Sequence, residues 1–431
     1  MADPNMQYDV VVIGGGPGGS TTAALLAHKD RRVLVLEKAH FPRYCVGESL
    51  MPYCYFPLER LGVIDKINDA GFPKVEKHSV QFVTTTGKVS APFYFFQHLK
   101  HPAATTFQVV RGPFDKMLLD NAAEAGAEVR QGMTVRDALR DQKGKVIGVT
   151  AEDENGGKHE FKATLTVDAS GRDALMLNRN NWKMPDPTLK KIAIWTYYKG
   201  AARDCGMDEG ATTVAYLPEK GWFWFIPLPN DEVSVGVVAD RDYLYRDLDE
   251  SGRDPQVIFQ REIDNNDWIK EHLAPGTQTG TYHVTGDYSY RSKYCAADGL
   301  VLVGDAYAFL DPVFSSGVFL ALRSGELAAD AIESALQTGD TSAGAFKEYG
   351  ENLCLGMEAM RKLVYAFYDH EFSFRTLIKS HPELRPDLTD CLIGHLFKDF
   401  SDLFKGVAEL ADLPEPLSYG RAQSEPAAAS S

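Results

Sequence analysis

The chain has 431 residues, too many for one small domain, and its 44% hydrophobic and 24% charged content suits a globular protein with a sizeable core. Its formal net charge of −15 speaks against a nucleic-acid or anionic-membrane partner, because such surfaces repel a polyanion. No run of about 18 apolar residues occurs, so no membrane span is expected.

The short polar start, Met1 to Tyr8, passes straight into a strand and does not read as a signal peptide. Val10–Ile13 is an apolar run meeting glycines, Pro17–His28 is a small-residue helix, and Val33–Leu36 is a second buried strand ending in Glu37. Together they predict a βαβ opening. Leu50–Asp69 has helical spacing, Val80–Phe82 and Val89–Phe96 have β spacing, and Phe114–Ala125 is an amphipathic helix. Val146–Ala151, Glu160–Ala163 and Leu165–Val167 read as strands returning to the first domain.

Residues 185–290 are rich in aromatic and β-branched stretches, such as Ile192–Tyr198, Thr213–Leu217, Trp222–Pro227 and Ser234–Ala239, and predict an antiparallel sheet. Leu300–Val303 repeats the buried-strand signature before a helix from Gly317 to Ile332, and residues 340–415 read as helical. The expectation is an α/β protein with a discontinuous Rossmann-like cofactor domain (1–75, 105–183, 291–335). A substrate-binding sheet domain (76–104, 184–290), a helical region (336–418) and a disordered tail (419–431) complete it. Six scattered cysteines without C-x-x-C or histidine clustering predict reduced thiols in a cytoplasmic protein and no metal site.

Gly14-x-Gly16-x-x-Gly19 joins the first strand to its helix, with Glu37 at the end of the next strand. Glycines there admit a pyrophosphate to the helix start, and the acid accepts hydrogen bonds from a ribose diol. Arg111-Gly112-Pro113-Phe114-Asp115, Val167-Asp168-Ala169-Ser170-Gly171 and Leu302-Val303-Gly304-Asp305-Ala306 follow in order. This series resembles the flavin-binding blocks of the para-hydroxybenzoate-hydroxylase-like superfamily. The resemblance implies FAD held at Gly14, Gly16, Gly19, Ser20 and Glu37. It further implies Arg111 along the cofactor, Asp168 and Gly171 at the second turn, and Gly304 and Asp305 against the ribityl chain or pyrophosphate.

Further motifs narrow the family. These are Glu37-Lys38-x-x-Phe41-Pro42-Arg43, Val46-Gly47-Glu48-Ser49-Leu50, Trp222-Phe223-Trp224-Phe225-Ile226-Pro227, Asp287-Tyr288-Ser289-Tyr290 and Asp311-Pro312-Val313-Phe314-Ser315-Ser316-Gly317. The set is similar to the flavin-dependent halogenases, in the branch acting on phenols, pyrroles and carrier-tethered aromatics. That resemblance adds Lys38, Arg43, Ser49, Pro312 and Gly317 to the FAD site. It implies chloride or bromide on the Ser315, Ser316 and Gly317 turn, a wall of Trp222 and Trp224, and a functional Glu48-Ser49 pair.

The implied reaction consumes O2 and reduced FAD (FADH2) from a separate flavin reductase. Hypohalous acid then reaches a lysine and halogenates an electron-rich aromatic, free or bound to a carrier protein. Two lysines qualify. The Lys77-His78-Ser79 tail favours Lys77, whereas counting from Phe72 falls on Val75 and leaves Lys74 as the other candidate. A flavin monooxygenase or reductase of the same fold, without halide use, is the alternative reading.

Overall fold

The computed structural model describes residues 7–248, 252–286 and 288–416. The expected tail at 419–431, the first six residues and Asp287 of the Asp-Tyr-Ser-Tyr motif lie outside the described residues.

Strand Tyr8–Ile13 is buried at every position, as befits a parallel strand covered on both faces. It pairs in parallel with Val33–Glu37 on one side and Lys158–Asp168 on the other. The sheet continues outward to Glu128–Gln131 at one end and to Leu300–Leu302 and Ala296–Ala297 at the other. Ile13 is level with both Leu36 and Asp168, so the carboxyl ends of these strands emerge together, and ligands bind there in open α/β sheets. Helix Ser316–Thr338 packs across helix Pro17–Ala27 so closely that a Cβ on Gly325 would come 2.7 Å from the Gly18 carbonyl oxygen.

The second sheet has seven strands in the order Thr277–Gly286, Lys191–Lys199, Glu232–Asp240, Trp222–Leu228, Thr212–Tyr216, Ser79–Val83 and Phe93–Tyr94. The pairing is antiparallel except where Ser79–Val83 lies parallel to Thr212–Tyr216, because the chain passes through the first sheet between those two strands. On strand Trp222–Leu228, Phe223 and Phe225 point into one core, and Trp222, Trp224 and Ile226 into the other. This is the two-faced alternation of a strand buried on both sides.

Several expectations need correction. Residues 185–290 are not all β: helices Pro255–Ile263 and Asp267–Leu273 cover the outer face of the sheet through Ile258, Phe259, Ile263 and Trp268. Asp254 and Asn266 cap these helices, an N-terminal signal in the sequence outweighed by the surrounding strands. Leu50–Asp69 is broken into Pro52–Cys54, Tyr55–Arg60 and Ile64–Asn68. Between the last two, Gly62 takes φ +69°, a left-handed stop that the apolar spacing does not reveal. The two short strands expected at 160–167 are one strand, Lys158–Asp168. The boundary between residues 75 and 76 falls inside strand Lys74–Lys77, which pairs with Thr106–Val109 as a separate ribbon between the sheets. Beyond helix Lys347–Tyr368, the C-terminal region holds helices Phe374–Ser380, Arg385–Ile393 and Ser401–Ala408. Among the described residues, no helix is long and apolar enough to cross a membrane.

Candidate active site

A cavity of about 450 Å³ opens at the carboxyl ends of the parallel strands and reaches the tryptophan face of the second sheet. Gly14, Gly16, Glu37, Lys38, Arg43, Arg111, Gly171, Gly304, Asp305, Pro312 and Gly317 all border it. Gly16 has an extended backbone (φ −70°, ψ −177°), and a Cβ added to it would meet nothing nearer than Arg43 at 3.6 Å. At Gly171 and Gly317 a Cβ would meet nothing within 4 Å. These glycines therefore face open cleft, as a dinucleotide approaching the backbone requires. The Glu37 carboxylate is fixed by the Gly15 amide at 2.8 Å and the Ala39 amide at 2.9 Å, and still borders the cleft. Arg111 is held by a two-pronged pair to the fully buried Asp115 (2.9 and 3.0 Å), and Arg43 reaches the same carboxylate at 3.2 Å. Lys38 pairs with Asp173 across the rim. Burial raises the Asp305 carboxyl to about 6.

Three expected cofactor ligands do not reach the cleft. Gly19 packs against the preceding strand, where a Cβ would lie 2.0 Å from the Gly14 carbonyl oxygen, so it serves helix–strand contact and not pyrophosphate approach. Ser20 is buried, and its hydroxyl donates to the Gly15 carbonyl at 2.8 Å. Asp168 is fully buried and accepts the amides of Ser170 (3.0 Å) and Met176 (2.7 Å). It shapes the turn that presents Gly171 without facing the cleft itself.

At the far end of the cleft, Asp311 accepts the Val313 amide at 3.0 Å and starts the turn Pro312–Phe314. Burial raises its carboxyl to about 6. Ser315 then takes φ +55°, a left-handed conformation uncommon for a side-chain-bearing residue, and launches helix Ser316–Thr338. The first turn of that helix has no acidic residue and no side-chain cap, which leaves its amides free to attract an anion. Ser315, Ser316 and Gly317 all border the cleft.

Trp222 and Trp224 form one wall, their ring centroids 6.1 Å apart. Their indole N–H groups donate to the Tyr368 hydroxyl at 2.8 Å and the Ser234 hydroxyl at 3.1 Å. Trp195 extends this wall, 6.3 Å from Trp224, and was not expected from sequence. Its signal was available: Trp195 alternates with Ala193 on the cleft face of strand Lys191–Lys199, but no motif marks it. Glu48 accepts from the Tyr197 hydroxyl at 2.8 Å and from the Gly47 amide at 3.0 Å, and it borders the cleft with Ser49.

A second cavity of about 40 Å³ lies beside the first, lined in part by Lys77, Phe82, Phe93, Phe95 and Phe314. Thr212, Val313 and Ser315 border both spaces. Lys77 is 2% exposed and its ammonium donates to the Ser49 hydroxyl at 2.8 Å and the Leu50 carbonyl at 3.1 Å. Burial pulls its pKa down from 10.5 to about 7. Lys74 sits three positions earlier in the same strand and therefore points to the opposite side. Its amine donates to the Asp69 carbonyl at 2.9 Å, and it borders neither cavity.

A Rossmann-like sheet whose switch-point cleft runs on to the face of a second sheet is the architecture that the resemblance to flavoproteins implies. The family model of tryptophan halogenases matches residues 9–96 and 75–376, and the chain belongs to that family. It is 31% identical over 395 residues to the 1H-pyrrole-2-carbonyl-[peptidyl-carrier protein] brominase of Pseudoalteromonas luteoviolacea, with 90% of this chain and 92% of that protein covered. It is 32% identical over 415 residues to the corresponding chlorinase of Pseudomonas fluorescens, with 90% of each covered. Among solved structures, the flavin-dependent brominase Bmp2 superposes with a TM-score of 0.83 at 29% identity, covering 93% of this chain and 98% of that one. The chondrochloren halogenase CndH superposes with a TM-score of 0.77 at 31% identity, covering 94% and 95%. The protein is a flavin-dependent halogenase, an oxidoreductase that uses FAD and halide.

Proposed function

We propose that this halogenase places chlorine or bromine on a pyrrole-type aromatic ring carried on a carrier protein, and that Lys77 governs the transfer. The observation that carries the reading is Lys77 itself: a buried amine in a small aromatic-lined cavity that shares Thr212, Val313 and Ser315 with the cofactor cleft. The carrier-bound pyrrole is drawn from the two relatives named for that substrate.

Gly14, Gly16, Glu37, Arg43, Arg111 and Asp305 would hold the FAD, which when reduced and supplied with O2 provides the two-electron oxidation of halide to hypohalous acid. The amides of Ser316 and Gly317 hold the halide beside it. Trp222, Trp224 and Trp195 keep the aromatic substrate out of the cleft, so that only a small oxidant passes. A cavity of about 40 Å³ has room for a small molecule of a few atoms, since one water needs at least ~10–15 Å³. As its neutral amine, Lys77 forms a bond to the halogen as the halogen–oxygen bond of hypohalous acid breaks and the oxygen leaves as water with the amine's proton. As ammonium it donates a hydrogen bond to the hypohalous acid, while Ser49 and the Leu50 carbonyl orient it. The enclosing side chains limit loss of the oxidant to water.

The test uses FAD-loaded protein, a separate flavin reductase and bromide, with a pyrrolyl-carrier protein in one arm and free pyrroles and phenols in another, read by intact-mass spectrometry. Bromination of the carrier-bound ring is expected. Product on free phenols alone would refute the carrier-bound substrate, and no halogenated product in any arm would refute the reading as a whole.

A further inference from the structure

The cleft's tryptophan wall lies on the second sheet and the Ser315–Gly317 turn opens helix Ser316–Thr338, yet one hydroxyl from the C-terminal region joins them. Tyr368 is the last residue of helix Lys347–Tyr368 and does not border the cleft. Its hydroxyl accepts the Trp222 indole N–H at 2.8 Å and donates to one Asp311 carboxylate oxygen at 3.1 Å. The other Asp311 oxygen accepts the Val313 amide at 3.0 Å, which sets the turn leading to Ser315 and the helix start. The Lys191 ammonium lies 3.9 Å from the centre of the Tyr368 ring and is held by Asp240 at 2.9 Å. We propose that Tyr368 is a positioning residue that locks the halide turn to the tryptophan wall through Asp311, so that halide affinity depends on a residue outside the cleft.

The inference rests on the proposed halide role of Ser315–Gly317. Three parts of the chain converge on this one hydroxyl: the second sheet through Trp222, the helical region through Tyr368 and the cofactor side through Asp311. A phenylalanine at 368 keeps the ring packing but removes both hydrogen bonds. Asp311 then keeps the Val313 amide and its neighbour Tyr288 but loses its tie to the tryptophan wall, and the left-handed Ser315 loses part of the support that holds it. Asp311 also sits close to the halide turn, facing Tyr288, Tyr368 and the Lys191 ammonium. With its carboxyl raised to about 6, it is neutral below that pH and repels an anion above it.

Bromide titrated into protein loaded with oxidised FAD, followed by the flavin absorbance band, reads halide affinity without turnover. Tyr368→Phe is expected to bind FAD within twofold of wild type and bromide roughly tenfold more weakly, the scale of one lost hydrogen bond to a charged group. Wild-type bromide affinity should fall as the pH rises through about 6, and Asp311→Asn should flatten that dependence. If wild type responds to bromide and Tyr368→Phe responds with the same affinity, the coupling is wrong. Loss of FAD binding in step with bromide binding would also overturn it, because the residue would then serve only general folding. No bromide response in wild type would remove the halide turn itself, and the coupling with it.

Discussion

Replacing Lys77 with methionine gives the most informative single perturbation, because its effects on activity and on stability run in opposite directions. The side chain is 2% exposed and its pKa sits near 7, not 10.5. Burial lowers the folded-state pKa below the unfolded value, so protonation favours unfolding. The cost of keeping this lysine is full below about pH 7 and fades as pH rises toward 10.5. At pH 7 it amounts to about 4 kcal/mol. Methionine removes that cost and fills a similar volume, but it gives up the ammonium's bonds to Ser49 and Leu50, worth about 1.5 kcal/mol each. The variant should therefore melt no lower than wild type at pH 6–7, with FAD still bound, while halogenated product disappears. Lys74→Ala, whose amine lies outside both cavities, should retain most activity. A thermal scan, the 450 nm flavin band and product mass spectrometry check the three parts. In wild type, at pH 7 about half of the Lys77 amines are neutral, against roughly one in 3,000 for an ordinary lysine. Transfer by the neutral amine predicts a rate that rises through pH 7, and transfer by the ammonium predicts the reverse. Full halogenation by Lys77→Met would refute the assignment, and a drop of many degrees in Tm would refute the burial argument.

Gly16→Val should give folded, colourless protein, since the position is extended and its Cβ would point into the cofactor cleft; stoichiometric FAD in the purified variant would contradict this. Gly19→Val, by contrast, should fail to accumulate as soluble protein, because its Cβ would meet the Gly14 carbonyl at 2.0 Å. Trp222→Ala with Trp224→Ala should admit small phenols to the cleft and add hydroxylated product, and an unchanged product spectrum would count against the wall. Crystals of the FAD-bound protein soaked in bromide should show anomalous density within hydrogen-bonding reach of the Ser316 and Gly317 amides, and a peak confined to another part of the cleft would move the halide site.

Local patterning was enough to reveal the βαβ opening and the sheets, and the motifs carried the resemblance that gave the family. A strand buried on both faces, glycines at its end and an acid at the end of the next strand are constraints carried by consecutive residues, and Gly14, Gly16 and Glu37 show them in the chain itself. The alternation of Trp222, Trp224 and Ile226 against Phe223 and Phe225 likewise gives the two faces of a strand without any tertiary information. The same patterning misplaced Gly19, Ser20 and Asp168, because a glycine, serine or aspartate at a turn looks alike whether it faces a ligand or the neighbouring backbone. Spacing from Phe72 did not choose between the lysines either. What separates the two positions is the pairing of Lys74–Lys77 with Thr106–Val109, which turns Lys77 toward Ser49 and the second cavity and Lys74 toward Asp69. Trp195 borders the cleft, and Tyr368 reaches Trp222 and Asp311, only because strands and a helix far apart in sequence meet there. Such proximity is set by long-range packing, which no local pattern encodes.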